Sequence, residues 1–234
     1  MKYYLIAGEA SGDLHGSNLM KGILKADPGA RFRFWGGDKM AAVGGAENLA
    51  MHYEKASFMG FTEVLKNLRT IFGQIEQCKR DVAAYAPDVL VLIDYAGFNL
   101  RLARFGRERG IPTYYYIAPK VWAWKESRVK KIRRWVDRLF VIFPFEVEYF
   151  RRRGIEAIYE GNPLMDAIDA RRAALGSKEE FRAVHGLDGR PVVACLAGSR
   201  RSEIGYNLPF MVELSGRFPQ YQFVVAGVPW LDRS

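Results

Sequence analysis

Val89-Leu90-Val91-Leu92-Ile93 is an uninterrupted apolar run that ends at Asp94. A strand that is apolar on both faces is typical of a parallel sheet covered by helices on both sides. Similar runs occur at Tyr3–Ala7, Phe32–Trp35, Thr113–Ile117, Leu139–Phe143, Val192–Ala197 and Gln222–Ala226. Predicted helices lie between them, at Leu14–Lys25, Thr62–Ala86, Leu100–Arg109, Ser127–Arg134, Phe145–Arg152, Lys178–Val184 and Glu203–Arg217. Repeated strand–helix units predict an α/β fold with a doubly wound parallel sheet.

The domain organisation follows from where these strands fall. The segment from Asn162 to Gly189 is charged and helical and contains no predicted strand. We therefore expect one complete Rossmann-like sheet domain over residues 1–188 and the beginning of a second over residues 189–234. Two strands and one helix are too few for an independent sheet, so the second domain is expected to be truncated.

Composition bounds the class of protein. The chain has 234 residues, of which 49% are hydrophobic, enough for a substantial core. Its two cysteines, Cys78 and Cys195, have neither metal-ligand nor redox spacing, which argues against a disulfide scaffold or zinc module and fits a reducing cytoplasm. No apolar run approaches the roughly 20 residues of a membrane-spanning helix.

The chain is basic, with 35 Lys and Arg against 26 Asp and Glu and a net charge of +9. Nucleic acid, an anionic membrane surface and a phosphate-bearing substrate each fit such an excess, and so does a solvated basic surface without a partner. Composition leaves these alternatives open. No RNA-binding signature is present, so we expect no nucleic-acid partner.

Ligands of open parallel sheets bind at the carboxyl ends of the strands, so the residues after each strand are the site candidates. The first strand is followed by Gly8-Glu9-Ala10-Ser11-Gly12-Asp13-Leu14-His15-Gly16. Its glycines, with Ser11 or Asp13, fit a tight turn with a helix cap, or a helix end that receives an anionic or polar sugar group. Capping explains Glu9 and His15 less well, because it needs only one such polar group.

Asp94 ends the apolar strand 89–93, where partial burial can raise the basicity of its carboxylate. A general base that takes a proton from a sugar hydroxyl needs this property, although a helix cap is an equal alternative. Trp122 and Trp124 follow the next strand and could hold a sugar face or an acyl chain, or serve packing. The turn Gly198-Ser199-Arg200 before Glu203 suits a diphosphate, or is a capped turn.

Two segments could meet a membrane. Phe58-Met59-Gly60-Phe61 precedes the predicted helix Thr62–Ala86, whose first turns carry Lys66 and Arg69, although core packing is the ordinary role of such a helix. A second helix presents Arg128, Lys130, Lys131, Arg133 and Arg134, either as a solvated face or toward anionic headgroups.

Six motifs in order together resemble the lipid-A-disaccharide synthase family. They span residues 1 to about 227: Gly8-Glu9-Ala10-Ser11-Gly12-Asp13, Asp94-x-x-x-Phe98-Asn99, Pro119-x-Val121-Trp122-Ala123-Trp124, Phe143-Pro144-Phe145-Glu146, Gly161-x-Pro163-Leu164 and Gly198-Ser199-Arg200-x-x-Glu203-Ile204. The resemblance implies a GT-B fold and a single-displacement, inverting glycosyltransferase. Its substrates would be UDP-2,3-diacylglucosamine and 2,3-diacylglucosamine 1-phosphate, and its products the β-1,6 disaccharide of lipid A and UDP.

The resemblance also implies roles. Asp94 would be the base on the acceptor 6-hydroxyl, Glu9 and His15 would orient hydroxyls, and Arg200 would bear the diphosphate. The full set of substrate-binding residues expected is Ser11, Gly12, Asn99, Trp122, Gly198, Ser199, Arg200 and Glu203. No cofactor or metal is expected. Lipid substrates imply a cytoplasmic protein held peripherally at the anionic inner membrane, and the family implies a possible homodimer of the complete protein.

Four positions depart from the family pattern, which has Pro, Gln, His and Pro where Ala96, Lys120, Asn162 and Ala197 stand. Lys120 adds a charge near the proposed acceptor site, and no role is assigned to Asn162. The main alternative function is another GT-B nucleotide-sugar enzyme, such as an epimerase or a soluble glycosyltransferase, which would not need a membrane-facing segment.

Overall fold

The computed structural model describes residues 1–56, 68–198 and 201–227. It divides into two compact units, Met1–Asp169 and Ala170–Ser234. The domain boundary expected from the sequence, after Asp188, lies further along the chain and stays a prediction. The segment 57–67 and the pair Ser199-Arg200 lie outside the described residues, and with them most of the expected membrane-facing stretch.

The first unit is built on a seven-stranded parallel sheet in the order β3-β2-β1-β4-β5-β6-β7. Its strands are β1 (Lys2–Ala7), β2 (Arg31–Gly36), β3 (Leu49–His52), β4 (Val89–Ile93), β5 (Thr113–Tyr116), β6 (Arg138–Val141) and β7 (Ala157–Tyr159). All five residues of β4 are buried, as its apolar run predicts. The predicted α/β doubly wound sheet is confirmed.

Helices cover both faces of this sheet. They are α1 (Ala10–Ala26), α2 (Asp38–Gly44), α3 (Tyr53–Ala56), α4 (Leu68–Tyr85), α5 (Ala96–Glu108), α6 (Arg128–Trp135), α7 (Pro144–Arg151) and α8 (Pro163–Ala173), the last of which runs past the unit boundary. One apolar cluster joins Ile75, Cys78 and Val82 of α4 to β4 and α5, and a second joins Met20 of α1 to the opposite face. No helix in the described ranges is long and apolar enough to cross a bilayer.

The second unit contains a two-stranded parallel sheet. Its elements are α9 (Lys178–Val184), β8 (Val192–Cys195), α10 (Arg201–Arg217) and β9 (Gln222–Val225). Ser177 caps α9: its hydroxyl accepts from the N–H of Glu180, whose carboxylate accepts from the N–H of Ser177. This reciprocal pair satisfies two N–H groups at the helix start.

Candidate active site at the carboxyl ends of the first and fourth strands

The sheet has one position where the strand order reverses. β1 pairs with β2 on one side and with β4 on the other, so the two connections leave their carboxyl ends in opposite directions. A crevice opens at such a point, and ligands of doubly wound sheets bind there. The residues that follow Ala7 and Ile93 therefore share the site, as the sequence analysis expected of the turns after these strands.

The backbone at the end of β4 is strained. Asp94 and Tyr95 have φ angles of +43° and +47°, in the left-handed region that residues with a side chain seldom adopt. Two consecutive residues of this kind persist only where the surroundings hold them, and they concentrate at functional sites. Tyr95 is the N-cap of α5, so these two residues turn the chain sharply from strand into helix. The turn places Asp94 at the carboxyl end of β4, where the crevice lies.

Two buried side chains hold this turn. The Tyr115 hydroxyl donates to the backbone oxygen of Asp94 at 2.6 Å. Asn99 is 0% exposed, and its amide donates to the backbone oxygens of Asp94 at 2.8 Å, Ile93 at 3.1 Å and Ile6 at 3.4 Å. These bonds tie the ends of β1 and β4 together. These bonds show that Asn99 positions the turn, and its predicted contact with substrate stays a prediction.

Asp94 is the titratable centre of the site. The residue as a whole is exposed, but the protein around its carboxyl partly desolvates that group. This desolvation raises the Asp94 pKa, and the Tyr95 N–H, Lys120 and His15 oppose the shift. Burial lowers the pKa of His15, and the charge of Asp94 opposes that shift. His15, Asp94 and Lys120 thus interact although they come from α1, the end of β4 and the loop after β5.

His15 also has an unused polar atom. Its Nδ1 is buried and has no hydrogen-bond partner within the described part of the chain. With a lowered pKa the imidazole is neutral near pH 7, so one ring nitrogen can accept and the other donate. Such a group can orient a hydroxyl beside Asp94.

The turn after β1 is shaped by close packing against Tyr95. A Cβ on Gly8 would overlap the Tyr95 ring, so glycine is required there. Gly12 is buried, and a Cβ there would lie 3.1 Å from that of Ala7. Glu9 and Ser11 are exposed, Glu9 at the N-cap of α1 and Ser11 in its first turn.

Asp13 does not cap its own helix, the role that the sequence had suggested for it. Its carboxylate is 3% exposed and accepts from the backbone N–H groups of Gly37 at 2.7 Å, Lys39 at 3.0 Å and Met40 at 3.0 Å. It therefore caps α2 and ties α1 to the connection after β2. Three such bonds satisfy N–H groups that a helix start otherwise leaves unpaired.

The tryptophan loop is anchored by a buried carboxylate. Glu146 is 1% exposed and accepts from Trp122 Nε1 at 2.9 Å and from the N–H groups of Ile142 and Phe143 at 3.2 and 3.0 Å. Trp122 also meets the edge of Phe145 at 5.1 Å, yet it stays 40% exposed. Trp122 therefore packs against its neighbours and still exposes part of its ring, so both roles left open for it remain compatible.

The second unit, taken by itself, contains Gly198 and Glu203 of the predicted diphosphate turn. Gly198 has a φ of +122°, which favours glycine, and a Cβ there would lie 2.6 Å from the Cβ of Glu203. Glu203 lies in the first turn of α10. Ser199 and Arg200 lie outside the described residues. Across the described ranges, no three His, Cys, Asp or Glu side chains are grouped closely enough to hold a metal ion.

The sequence did not indicate the roles of three residues that shape the site. Tyr115 carried no signal beyond its strand. Glu146 stood in a quoted motif, but nothing in the sequence linked it to Trp122. The interaction of Lys120 with Asp94 was foreseen only as an added charge near the site.

The family model described as lipid-A-disaccharide synthetase matches residues 3–229. The chain belongs to this family. A lipid-A-disaccharide synthase of Geobacter metallireducens is 42% identical over 226 residues, covering 94% of this chain and 57% of the relative. One of Myxococcus xanthus is 38% identical over 234 residues, covering 98% of this chain and 60% of the relative. The chain thus spans somewhat more than half the length of these lipid-A-disaccharide synthases.

Solved structures agree with the GT-B type of fold expected for a lipid-A-disaccharide synthetase. The UDP-GlcNAc 2-epimerase of Neisseria meningitidis superposes with a TM-score of 0.67 at 12% identity, covering 98% of this chain and 67% of that one. The epimerase of Methanocaldococcus jannaschii gives 0.64 at 14% identity, with 98% and 66% covered. At such identities the likeness establishes the fold alone.

Proposed function

We propose that this chain carries the acceptor side of an inverting glycosyltransferase. The reaction joins UDP-2,3-diacylglucosamine to 2,3-diacylglucosamine 1-phosphate and yields the β-1,6-linked lipid A disaccharide and UDP. One observation carries the proposal: Asp94, His15 and Lys120 interact at the switch point of a chain that belongs to the lipid-A-disaccharide synthetase family.

Asp94 is the proposed general base. A raised pKa makes its carboxylate a stronger base than a fully solvated one. The acceptor 6-oxygen attacks the anomeric carbon of the donor as its proton passes to Asp94. The bond from that carbon to the diphosphate oxygen breaks, UDP leaves with the electron pair, and attack from the opposite face inverts the centre.

The remaining residues bind and orient the substrates. His15 lies close enough to Asp94 for the carboxylate to act on its pKa, and Glu9 acts in the same way on neighbouring Tyr95, so both can orient hydroxyls there. Ser11 and Gly12 lie in the first turn of α1, where they can contact a substrate. The exposed face of Trp122 can pack against a sugar ring.

On the donor side we propose that Gly198, Ser199, Arg200 and Glu203 form the diphosphate-binding turn. Negative charge grows on UDP in the transition state, so donors placed there stabilise that state more than the ground state. The proposal involves no cofactor and no metal ion.

Both proposed substrates are lipids, so the proposed location is cytoplasmic and peripheral to an anionic inner membrane. The basic residues of α6 support this: Lys130, Lys131, Arg133 and Arg134 are all exposed. A homodimer of the complete protein is part of the same proposal.

The alternative, another GT-B nucleotide-sugar enzyme, is favoured by the fold likeness alone. Identities of 12–14% to epimerases stand against 42% to a lipid-A-disaccharide synthase. Product identity separates the two, since an epimerase converts a UDP-sugar without an acceptor.

The test is a chimera in which residues 1–227 replace the matching part of the Geobacter metallireducens relative, with that whole relative as the positive control. Both lipid substrates are supplied, and mass spectrometry follows the disaccharide. We expect product from the chimera. A folded chimera that binds UDP but makes no disaccharide would falsify the proposal, and an altered UDP-sugar formed without acceptor would favour the epimerase alternative.

A further inference from the structure

A groove of about 830 Å³ runs between α4, α5 and α6 in the first unit. Two carboxylates, Glu76 and Glu108, line it together with six cations: Lys79, Arg101, Arg104, Lys125, Arg128 and Lys131. The surplus is six minus two, or four positive charges. A concave wall of one sign concentrates the field and attracts anions.

Two of the six cations are paired with the two carboxylates of the groove. Glu76 pairs with Lys79 at 2.7 Å and Glu108 with Arg104 at 2.7 Å. Arg101, Lys125, Arg128 and Lys131 have no carboxylate partner within residues 1–56, 68–198 and 201–227. Their charges are therefore available to an anionic ligand.

The groove has apolar surface as well as charge. Phe72 is 53% exposed on α4, and the Arg101 guanidinium lies over its ring at 5.6 Å from the centroid. Phe105 and Trp135 add aromatic surface to the same lining. A purely ionic ligand would leave these rings in water, whereas a ligand with an acyl chain would cover them.

Part of the groove is lined by the start of α5, the helix that follows Asp94. Ala96 and Gly97 line it, and both follow Asp94 closely in the chain. Arg128 acts on the Tyr115 hydroxyl, which donates to the Asp94 backbone oxygen. Lys125 and Arg128 also lie over the Trp124 ring, at 4.2 and 5.3 Å. These contacts connect the cationic lining of the groove with the turn that carries Asp94.

We infer that this groove binds the phosphate monoester of the acceptor lipid and part of an acyl chain. A phosphate monoester carries nearly two negative charges near pH 7 and three acceptor oxygens, so several cations around one concavity suit it better than they suit a single carboxylate. The inference rests on the proposed function, since it places the phosphate one sugar ring away from the hydroxyl that Asp94 would deprotonate.

Calorimetric titration of the 234-residue chain tests the inference. The probe is glucosamine 1-phosphate bearing two short acyl chains, below its aggregation concentration, compared with the same lipid lacking the phosphate. We expect the phosphate to tighten binding at least about tenfold, and the double variant Lys125→Ala/Arg128→Ala to remove that gain. Lys130→Ala is the matched control, because Lys130 is exposed on α6 but does not line the groove.

The outcomes are distinct. Equal affinity for the two probes, or equal loss in the Lys130 variant, overturns the inference in favour of a general basic surface. Phosphatidylglycerol vesicles are titrated in the same way. If the double variant binds these vesicles more weakly but binds the soluble probe as before, the inference is overturned in favour of a bilayer contact. An inactive chimera that still distinguishes the probes would contradict the proposed function and leave the groove assignment standing.

A second variant tests the apolar part. Phe72→Ser should weaken binding of the acylated probe, whereas glucosamine 1-phosphate without acyl chains should bind as before. Equal loss for both would overturn the placement of the acyl chain. Unchanged thermal unfolding of each variant confirms that the chain still folds.

Discussion

The Tyr115 hydroxyl lies 2.6 Å from the backbone oxygen of Asp94 and donates a hydrogen bond to it. Tyr115 is fully buried on β5, so the neighbouring strand fixes the strained turn that carries the proposed base. The positive φ angles of residues 94 and 95 set the direction of the turn. The buried donors Tyr115 and Asn99 hold the turn in that conformation.

Asp94→Asn should lower turnover of the chimera by roughly two to four orders of magnitude, because the amide cannot take the proton of the acceptor hydroxyl. The amide has nearly the shape of the carboxyl, so unfolding should change little. Steady-state rates measure the turnover, and denaturant unfolding measures the stability. Turnover near that of the unsubstituted chimera would remove Asp94 from the base role.

The charge of Lys120 should affect the pH dependence of the reaction through the pKa of Asp94. Asp94 must be ionised to act as base, so activity is present above its raised pKa and is lost as pH falls through it. Lys120 lowers that pKa, and Lys120→Gln removes its charge, so the acid limb of kcat/KM should move to higher pH. Lys120→Arg keeps the charge and should leave the limb in place. A limb that moves down, or moves equally in both variants, contradicts the interaction.

Gly8→Ala should destabilise the chain by about 1–3 kcal/mol, since the added Cβ would overlap the Tyr95 ring and force the turn apart. Gly22→Ala is the control: nothing lies within 4 Å of a Cβ there, and alanine favours the interior of α1 by up to about 1 kcal/mol. Urea unfolding of both variants measures the difference. Equal stabilities would mean that the Tyr95 ring moves aside freely.

Asn99→Ala should cost about 1–3 kcal/mol of unfolding free energy, because it removes the donor shared by three backbone oxygens in the interior. In the chimera, turnover should fall as well, since the same bonds hold Asp94. Asn18→Ala, on the partly exposed surface of α1, should change neither quantity by much. A stable Asn99 variant with reduced acceptor binding alone would restore the predicted substrate contact.

The interior strands and the position of Asp94 could be predicted from the sequence because their signals are local. β4 is apolar throughout, and β1, β5 and β6 carry similar runs. β5 ends one residue before the predicted Ile117, which adopts a φ of +64°. The edge strands β3 and β7 were missed: they have four and three residues and are only partly buried, so no long apolar run marks them.

The partners of individual side chains could not be predicted in this way. Asp13 caps α2 rather than its own helix, and Asn99 bonds to the ends of two strands. Each partner lies on an element distant in the chain, and its direction depends on how that element packs. Motif spacing places a residue at a strand end but does not say which backbone groups it will meet.

The sequence by itself determined the α/β class, the family and the carboxylate at the end of β4, because apolar runs, turns and motifs are properties of neighbouring residues. Only the tertiary structure decided that β1 lies beside β4, that His15 and Lys120 act on Asp94, and that α4, α5 and α6 leave a basic groove between them. These relationships depend on which strands pair and how helices pack on the sheet, and that choice is made by contacts between residues far apart in the chain.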